Sequence, residues 1–265
     1  MHGVLLTVAY DGEKFSGWAA QAGEERTVQG VLAHAIASMD PSASAPRGVS
    51  RTDAGVHAEA QMVAFDASPR AHAIEMRGWV LGLCAALPDD VAVRAARQVP
   101  AGFDPRVASR GKRYRYRVLL DQVRDPLWRS RAWRVGYPLD LEKMSRECAR
   151  IVGTHDFRAF RSARDERTNT ERTLTRVAIE TEARDAAGPR VIGIVVEGSA
   201  FMHNMVRIIA GTLVDVARGK LEEGATSRAI ASGARADLGE TAPAHGLTLE
   251  HVELSGIDGG ESWPR

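Results

Sequence analysis

Sulfur is scarce in this chain, and long apolar runs are missing. Cys84 and Cys148 are the only two cysteines among 265 residues, too few for a disulfide framework. Each lies in an apolar helical pattern and reads as a buried free thiol in a reducing compartment. The longest apolar stretches, 80–87 and 191–196, fall far short of the roughly 20 residues that cross a bilayer. The opening Met1-His2-Gly3-Val4-Leu5-Leu6 lacks the basic start and long apolar core of a secretory leader. A cytoplasmic protein with no membrane partner is therefore expected. Phosphate-cradling glycine loops and zinc-spaced Cys/His sets are also missing.

What is present is an ordinary globular composition, 44% hydrophobic and 26% charged, enough for a substantial core. The net charge of +1 hides an uneven distribution. From Arg106 to Arg134 ten basic residues face only two acids, Asp121 and Asp125, leaving a local charge of +8. Nine of the ten are arginines, which suit bidentate phosphate contacts and stacking on bases. A solvated basic face, or a genomic bias toward arginine codons, produces the same pattern.

Pattern along the chain predicts strands at Val4–Tyr10, Arg47–Arg51, Gln61–Asp66 and Val91–Val99. Between them fall a helix capped by Thr27 (Val28, Leu32, Ile36 and Met39 on its apolar face) and a second near Ala73–Ala86. The order then recurs. Lys112–Leu120 alternates, with Tyr114, Tyr116, Val118 and Leu120 on one face and Arg113, Arg115 and Arg117 on the other. A helix capped by Asp140 and stopped by Gly153 follows, then strands at Arg172–Glu182 and Arg190–Gly198. A helix over Met202–Ala217, a short one near Ser227–Ser232 and a closing strand Leu247–Leu254 complete the set. The expected fold class is α+β: two ferredoxin-like (RRM-like) halves, 1–104 and 105–265, with mainly antiparallel sheets around a central cleft.

Three places carry candidate chemistry. Ser50-Arg51-Thr52-Asp53-Ala54-Gly55-Val56-His57-Ala58 lies in a loop between strands, where the plain reading of Asp53 is a turn-shaping carboxylate. Arg207 sits near the start of an apolar helix, against the helix dipole, and calls for an acidic partner such as Asp53; otherwise it snorkels to water. Gly211, one turn on, leaves room for another backbone to approach. Tyr114 opens the apolar face of the arginine strand, where an aromatic is ordinarily core but is also able to stack on a base.

These residues fall within a larger resemblance. Tyr10-Asp11-Gly12 with Phe15 and Gly17-Trp18, Thr27-Val28-Gln29-Gly30, Arg51 to His57 and Lys112-Arg113-Tyr114-Arg115-Tyr116 occur in that order. Gly153-Thr154-His155-Asp156-Phe157, Phe201 through Met205-Val206-Arg207, and Ala242-Pro243 with Gly246-Leu247 follow. The series resembles the TruA family of tRNA pseudouridine synthases over most of the chain. It departs at Ser50, where the family usually has glycine, and at Ala19-Ala20, where Gln is usual after Trp18 and only Gln21 is kept.

The resemblance implies isomerisation of uridine to pseudouridine in the anticodon arm of tRNA, about positions 38 to 40, by a homodimer needing no cofactor. It makes Asp53 the essential carboxylate, which either attacks the ribose C1′ or removes a ribose proton. Arg207 would pair with Asp53, and Tyr114 would stack on the uracil and serve as a possible base. Arg51, Lys112, Arg113 and Arg115 would hold the RNA. Two other readings are a non-catalytic RNA-binding protein of the same fold and a metal-dependent hydrolase built on Asp53, His57, His155 and Asp156. A serine hydrolase on Ser50 and His57 lacks the glycine pattern of a nucleophile elbow.

Overall fold

A computed structural model describes residues 2–20, 25–163, 165, 167–185 and 188–257. Gln21 and most of the glycine-rich C-terminus, 258–265, lie outside the described residues. In chain order the first elements are β1 (His2–Tyr10), α1 (Val28–Met39), β2 (Arg47–Gly48), β3 (His57–Ala67), α2 (Met76–Ala86), β4 (Val91–Val99) and α3 (Pro105–Ala108). Next come β5 (Ser109–Leu120), β6 (Trp133–Val135), α4 (Leu141–Arg150), β7 (Gly153–Asp156), β8 (Glu171–Asp185) and β9 (Gly188–Gly198). The last are α5 (Met205–Ala217), α6 (Ala225–Ser232) and β10 (Leu247–Leu254).

The chain divides into two compact units, Met1–Arg110 with Leu249–Arg265, and Gly111–Thr248. The closing strand, expected wholly in the second half, thus straddles the division: Leu247 and Thr248 lie in the second unit and the rest of β10 in the first.

In the first unit the strands run β4-β1-β3-β10, with the two-residue β2 also pairing β3. β1 is antiparallel to both its neighbours. Alternation along β1 sends Val4, Leu6 and Val8 toward one face, where Leu32, Ile36, Trp79 and Leu83 of the two helices are also buried. Phe65 meets Trp79 edge-on, ring centroids 5.0 Å apart. The other face is apolar as well: Leu5, Ala64 and Val99 cluster there with Met62, Phe103 and Leu254. That is why β1 reads as a nearly continuous hydrophobic run rather than a strict alternation. Thr27 caps α1 as expected, its hydroxyl accepting from the Gly30 N–H at 3.2 Å. α2 begins at Met76 rather than Ala73, because a 3₁₀ turn over Pro69–Ala73 precedes it. Cys84 on α2 is exposed, not buried, and donates to the Val93 carbonyl at 3.3 Å.

In the second unit the order is β5-β9-β8-β7, antiparallel throughout, with β6 added parallel to β5. The cap Asp140 accepts from the Lys143 N–H at 2.9 Å, and Gly153 takes φ +118° beyond the helix end. Met144 and Cys148 of α4 are buried. Helix α5 has no exposed stripe; of its thirteen residues every one but Arg207 is buried. It starts at Met205, three residues later than expected, because Asn204 takes the left-handed conformation at φ 64°. On β5 the expected alternation holds through Val118 and then breaks. Leu119, on the arginine parity, is buried against Ala132 and Val191 with Trp128 alongside, whereas Leu120 is only half-buried.

Candidate active site

The loop 49–56 between β2 and β3 carries Asp53, and neighbouring backbone holds it on several sides. The Trp18 N–H donates to the Thr52 carbonyl at 3.0 Å, and the Gly55 N–H to the Phe15 carbonyl at 3.4 Å. Within the loop the Val56 N–H donates to the Asp53 carbonyl at 3.1 Å, closing the expected tight turn. Tyr10 and Thr52 share a buried hydroxyl–hydroxyl bond of 2.7 Å. Gly17, at φ +103°, passes so close that a Cβ there would lie 2.8 Å from the Thr52 carbonyl oxygen, so both backbone angle and space require glycine. The segment Tyr10 to Trp18 is thus the cradle of the loop, with Phe15 and Trp18 buried beneath it.

Ser50 is pinned by Gln61, fully buried, which accepts from the Ser50 N–H at 3.3 Å and donates to its carbonyl at 2.7 Å. Among the described residues Asn204 is the one non-glycine with positive φ, so Ser50 carries no left-handed strain. His57 opens β3 instead of continuing a helix from Asp53, which removes the spacing a shared metal would use. Its Nδ1 accepts from the Gly12 N–H at 3.0 Å and lies 3.1 Å from the Asp11 carboxylate. His155 and Asp156 belong to the other unit, where Asp156 accepts from the Thr170 hydroxyl at 2.6 Å. Among the described residues no three His, Cys, Asp or Glu side chains gather as a metal site would require. Arg51 is exposed and Asp53 half-buried on this fixed backbone.

Tyr114 and Arg207 lie in the second unit. Tyr114 is buried and meets Phe201 edge-on at 5.1 Å. Lys112, two residues earlier and on the same parity, has its ammonium pKa lowered by burial. Tyr116 is structural: its hydroxyl donates to the Pro243 carbonyl at 2.8 Å, and burial pushes its pKa far up. Arg207 is held in plane by two bonds of 2.8 Å, from Nε to the Ala242 carbonyl and from Nη1 to Asn204 Oδ1. The backbone of 240–242 lies against α5 where Gly211 gives it room; a Cβ there would fall 1.9 Å from the Glu240 carbonyl oxygen. The close approach expected at Gly211 is this one.

The basic strand is engaged within its own sheet. Arg113 pairs with Glu197 at 3.0 Å, Arg115 with Glu180 and Glu182 at 2.9 and 3.2 Å, and Arg117 with Glu182 at 2.8 Å. Arg176 of β8 joins the same lattice through Glu180 and Glu197. Gly193 of the intervening β9 lets Arg115 reach across; a Cβ there would meet Arg115 Nη1 at 2.7 Å and Glu182 Oε1 at 2.6 Å. On β5 the three arginines that look uncompensated along the chain are met by acids from strands 60 or more residues later.

Asp53 and Arg51 therefore belong to the first unit, and Lys112, Arg113, Tyr114, Arg115 and Arg207 to the second. Sequence reasoning missed Gln61, the Tyr10–Thr52 bond and Asn204. Of these only Tyr10 carried a signal, as part of an ordered motif.

Known proteins bear directly on this geometry. Residues 148–254 match the family model described as tRNA pseudouridine synthase. The chain is 42% identical over 247 residues to tRNA pseudouridine synthase A of Myxococcus xanthus, covering 93% of this chain and 90% of that one. It is 39% identical over 253 residues to the protein of the same name from Citrifermentans bemidjiense, covering 95% and 97%. With Halalkalibacterium halodurans tRNA pseudouridine synthase A it shares 39% over 248 residues, covering 93% and 90%. The α+β units with mainly antiparallel strands agree with the fold of such enzymes. An identity of this size, spread over nearly the whole of both chains, places this protein in the tRNA pseudouridine synthase family.

Proposed function

We propose that the protein isomerises uridine to pseudouridine in the anticodon arm of tRNA, about positions 38 to 40, with Asp53 as the essential carboxylate. The observation that carries this reading is the Asp53 loop itself: a backbone fixed by Tyr10, Phe15, Trp18 and Gln61, offering a half-buried carboxylate beside an exposed arginine. Fixed geometry of this kind serves a reacting group, because it removes the entropy of positioning from the chemical step.

In the proposed mechanism the target nucleotide leaves its stack, at a cost of a few kcal/mol that phosphate contacts offset. Asp53 then either attacks C1′ or removes a ribose proton, and the N1 glycosidic bond breaks. The uracil turns and C5 bonds to the same carbon as the Asp53–C1′ bond breaks, or as the ribose proton is returned; the C5 proton then leaves and N1 gains one, so the product is an isomer of the substrate. Arg207 pairs with Asp53 in this reading. Tyr114 stacks on the uracil and is a candidate base for the C5 proton. Arg51 and Lys112 hold the RNA; Arg113 and Arg115 join them only by giving up part of the glutamate lattice. Nothing is oxidised or hydrolysed, so the chemistry calls for no cofactor. The active species is proposed to be a cytoplasmic homodimer.

The test is tritium release from tRNA carrying [5-³H]uridine, with wild type beside Asp53→Asn and with EDTA present. Release by wild type alone, indifferent to the chelator, supports the reading. Tight tRNA binding without release replaces it with an RNA-binding protein of the same fold, and loss of release in EDTA replaces it with a metal enzyme.

A further inference from the structure

The start of α5 breaks a local rule. An asparagine at a helix N-cap ordinarily has extended backbone and lends its side-chain oxygen to an amide of the first turn. Asn204 does neither: its backbone is left-handed and its side chain makes no cap bond. Its Oδ1 instead accepts from the guanidinium of Arg207, three residues on, at 2.8 Å. A left-handed non-glycine persists where its surroundings over-determine it. The residue that supplies this constraint comes from a different part of the second unit.

Asp165 lies between Phe160 and β8 and is buried apart from a small exposed fraction. Its carboxylate accepts from the His203 N–H at 2.9 Å and from Arg167 Nε and Nη2 at 2.8 and 2.5 Å. The same two segments are tied again by the Ser162 N–H donating to the His203 carbonyl at 3.0 Å. Ser162 in turn accepts from the Asp165 N–H at 2.9 Å. Both backbone polar groups of His203, the residue immediately before Asn204, are thus taken by Ser162 and Asp165. His203 is held on both sides immediately before the left-handed Asn204, whose side chain accepts from Arg207.

We propose that Asp165 is a positioning residue for Arg207, acting through the His203 amide and the left-handed Asn204 to set the angle of the guanidinium. The inference rests on the reading above that Arg207 pairs with Asp53 during turnover. Asp165 does not itself exchange protons in this role, because Arg167 holds its carboxyl well below the usual range and keeps it an anion at every working pH.

The experiment is a double-mutant cycle read by tritium release, with kcat and KM measured at a temperature where each variant is folded. Asp165→Ala is expected to lower kcat on the order of 10- to 100-fold, the scale of a misplaced catalytic group. KM should stay within about twofold, as for a group whose effect is confined to the transition state. Asp165→Asn, which keeps an oxygen for the His203 N–H, should recover most of the rate. In an Arg207→Lys background the Asp165→Ala loss should largely vanish, since both changes remove the same alignment. Should Asp165→Ala fail to fold, Asn204→Gly carries the test: it tolerates the left-handed backbone, removes Oδ1, and is expected to lose kcat without losing Tm. Full kcat in Asn204→Gly, a loss confined to KM, or equal losses from Asp165→Ala in both backgrounds each overturn the positioning role. Unchanged kinetics in Arg207→Lys alone would instead overturn the underlying reading of Arg207.

Discussion

At the scale of single residues, the proposed role of Asp53 can be separated from that of the side chains that hold its loop, Tyr10 and Gln61. Replacing Asp53 by Asn keeps shape and removes charge, so turnover should be abolished while tRNA affinity changes by no more than a few-fold; filter binding beside tritium release checks both. Equal loss of binding and turnover would make Asp53 structural. Tyr10 makes the complementary case. Its 2.7 Å bond to Thr52 lies in the buried interior of the cradle, and Tyr10→Phe leaves the Thr52 hydroxyl without that partner. A loss of about 1–2 kcal/mol in urea unfolding is expected, with a fall in kcat larger than any rise in KM. A stable variant with normal kcat would mean the loop does not need this bond.

At the scale of elements, α5 and the 240–242 segment act as one body joined at Gly211. Gly211→Ala would raise helix propensity in an isolated helix. Here the new Cβ would collide with the Glu240 carbonyl oxygen, which is backbone and has no rotamer to yield. Overpacking of this kind costs about 1–3 kcal/mol. Moving Ala242 should also loosen the Arg207 Nε bond, so Tm and kcat should fall together. The β5–β9–β8 lattice supports a second expectation. Arg115 is only 14% exposed and serves two glutamates from β8. Arg115→Ala should destabilise by about 1–3 kcal/mol, most of it the cost of leaving partly buried carboxylates without their cation. The deficit should shrink in high salt as the remaining charges are screened.

At the scale of the whole molecule, acid should unfold the protein through its paired carboxylates. Arg167 depresses Asp165, Arg26 depresses Asp90, Arg115 depresses Glu180, and Arg146 with Arg150 bring Glu223 to about 2. Folded values below unfolded ones mean that the folded state refuses protons the unfolded chain accepts. Their stability is therefore complete above the unfolded values of 3.8 and 4.5 and is lost as pH falls from there toward 2. The urea midpoint should be flat near neutrality and drop steeply below about pH 4.5; a flat midpoint down to pH 3 would contradict these pairings. At the other end of the scale the two thiols should separate. Cys84 is exposed, whereas burial pushes the Cys148 thiol up to about 12. A thiol reagent should titrate one cysteine in the native protein and both only in denaturant.

The sequence by itself determined the features whose cause is local. Period-two and helical spacings placed most strands and helices, Thr27 and Asp140 marked caps, and the ordered motifs from Tyr10 to Leu247 identified the family and the Asp53 loop. Those signals survive because a turn, a cap or an amphipathic face is decided by residues within a few positions of one another. Tertiary structure alone decided what depends on distant partners. It set Glu180, Glu182 and Glu197 across β9 and β8 from a strand that looked like bare positive charge. It covered Leu119 on the arginine parity, exposed Cys84, and gave Asn204 to Arg207 in place of its own helix. Charge pairing and burial are properties of neighbours in space, and a hydrogen bond spanning Asp165 to His203 leaves no periodic trace along the chain.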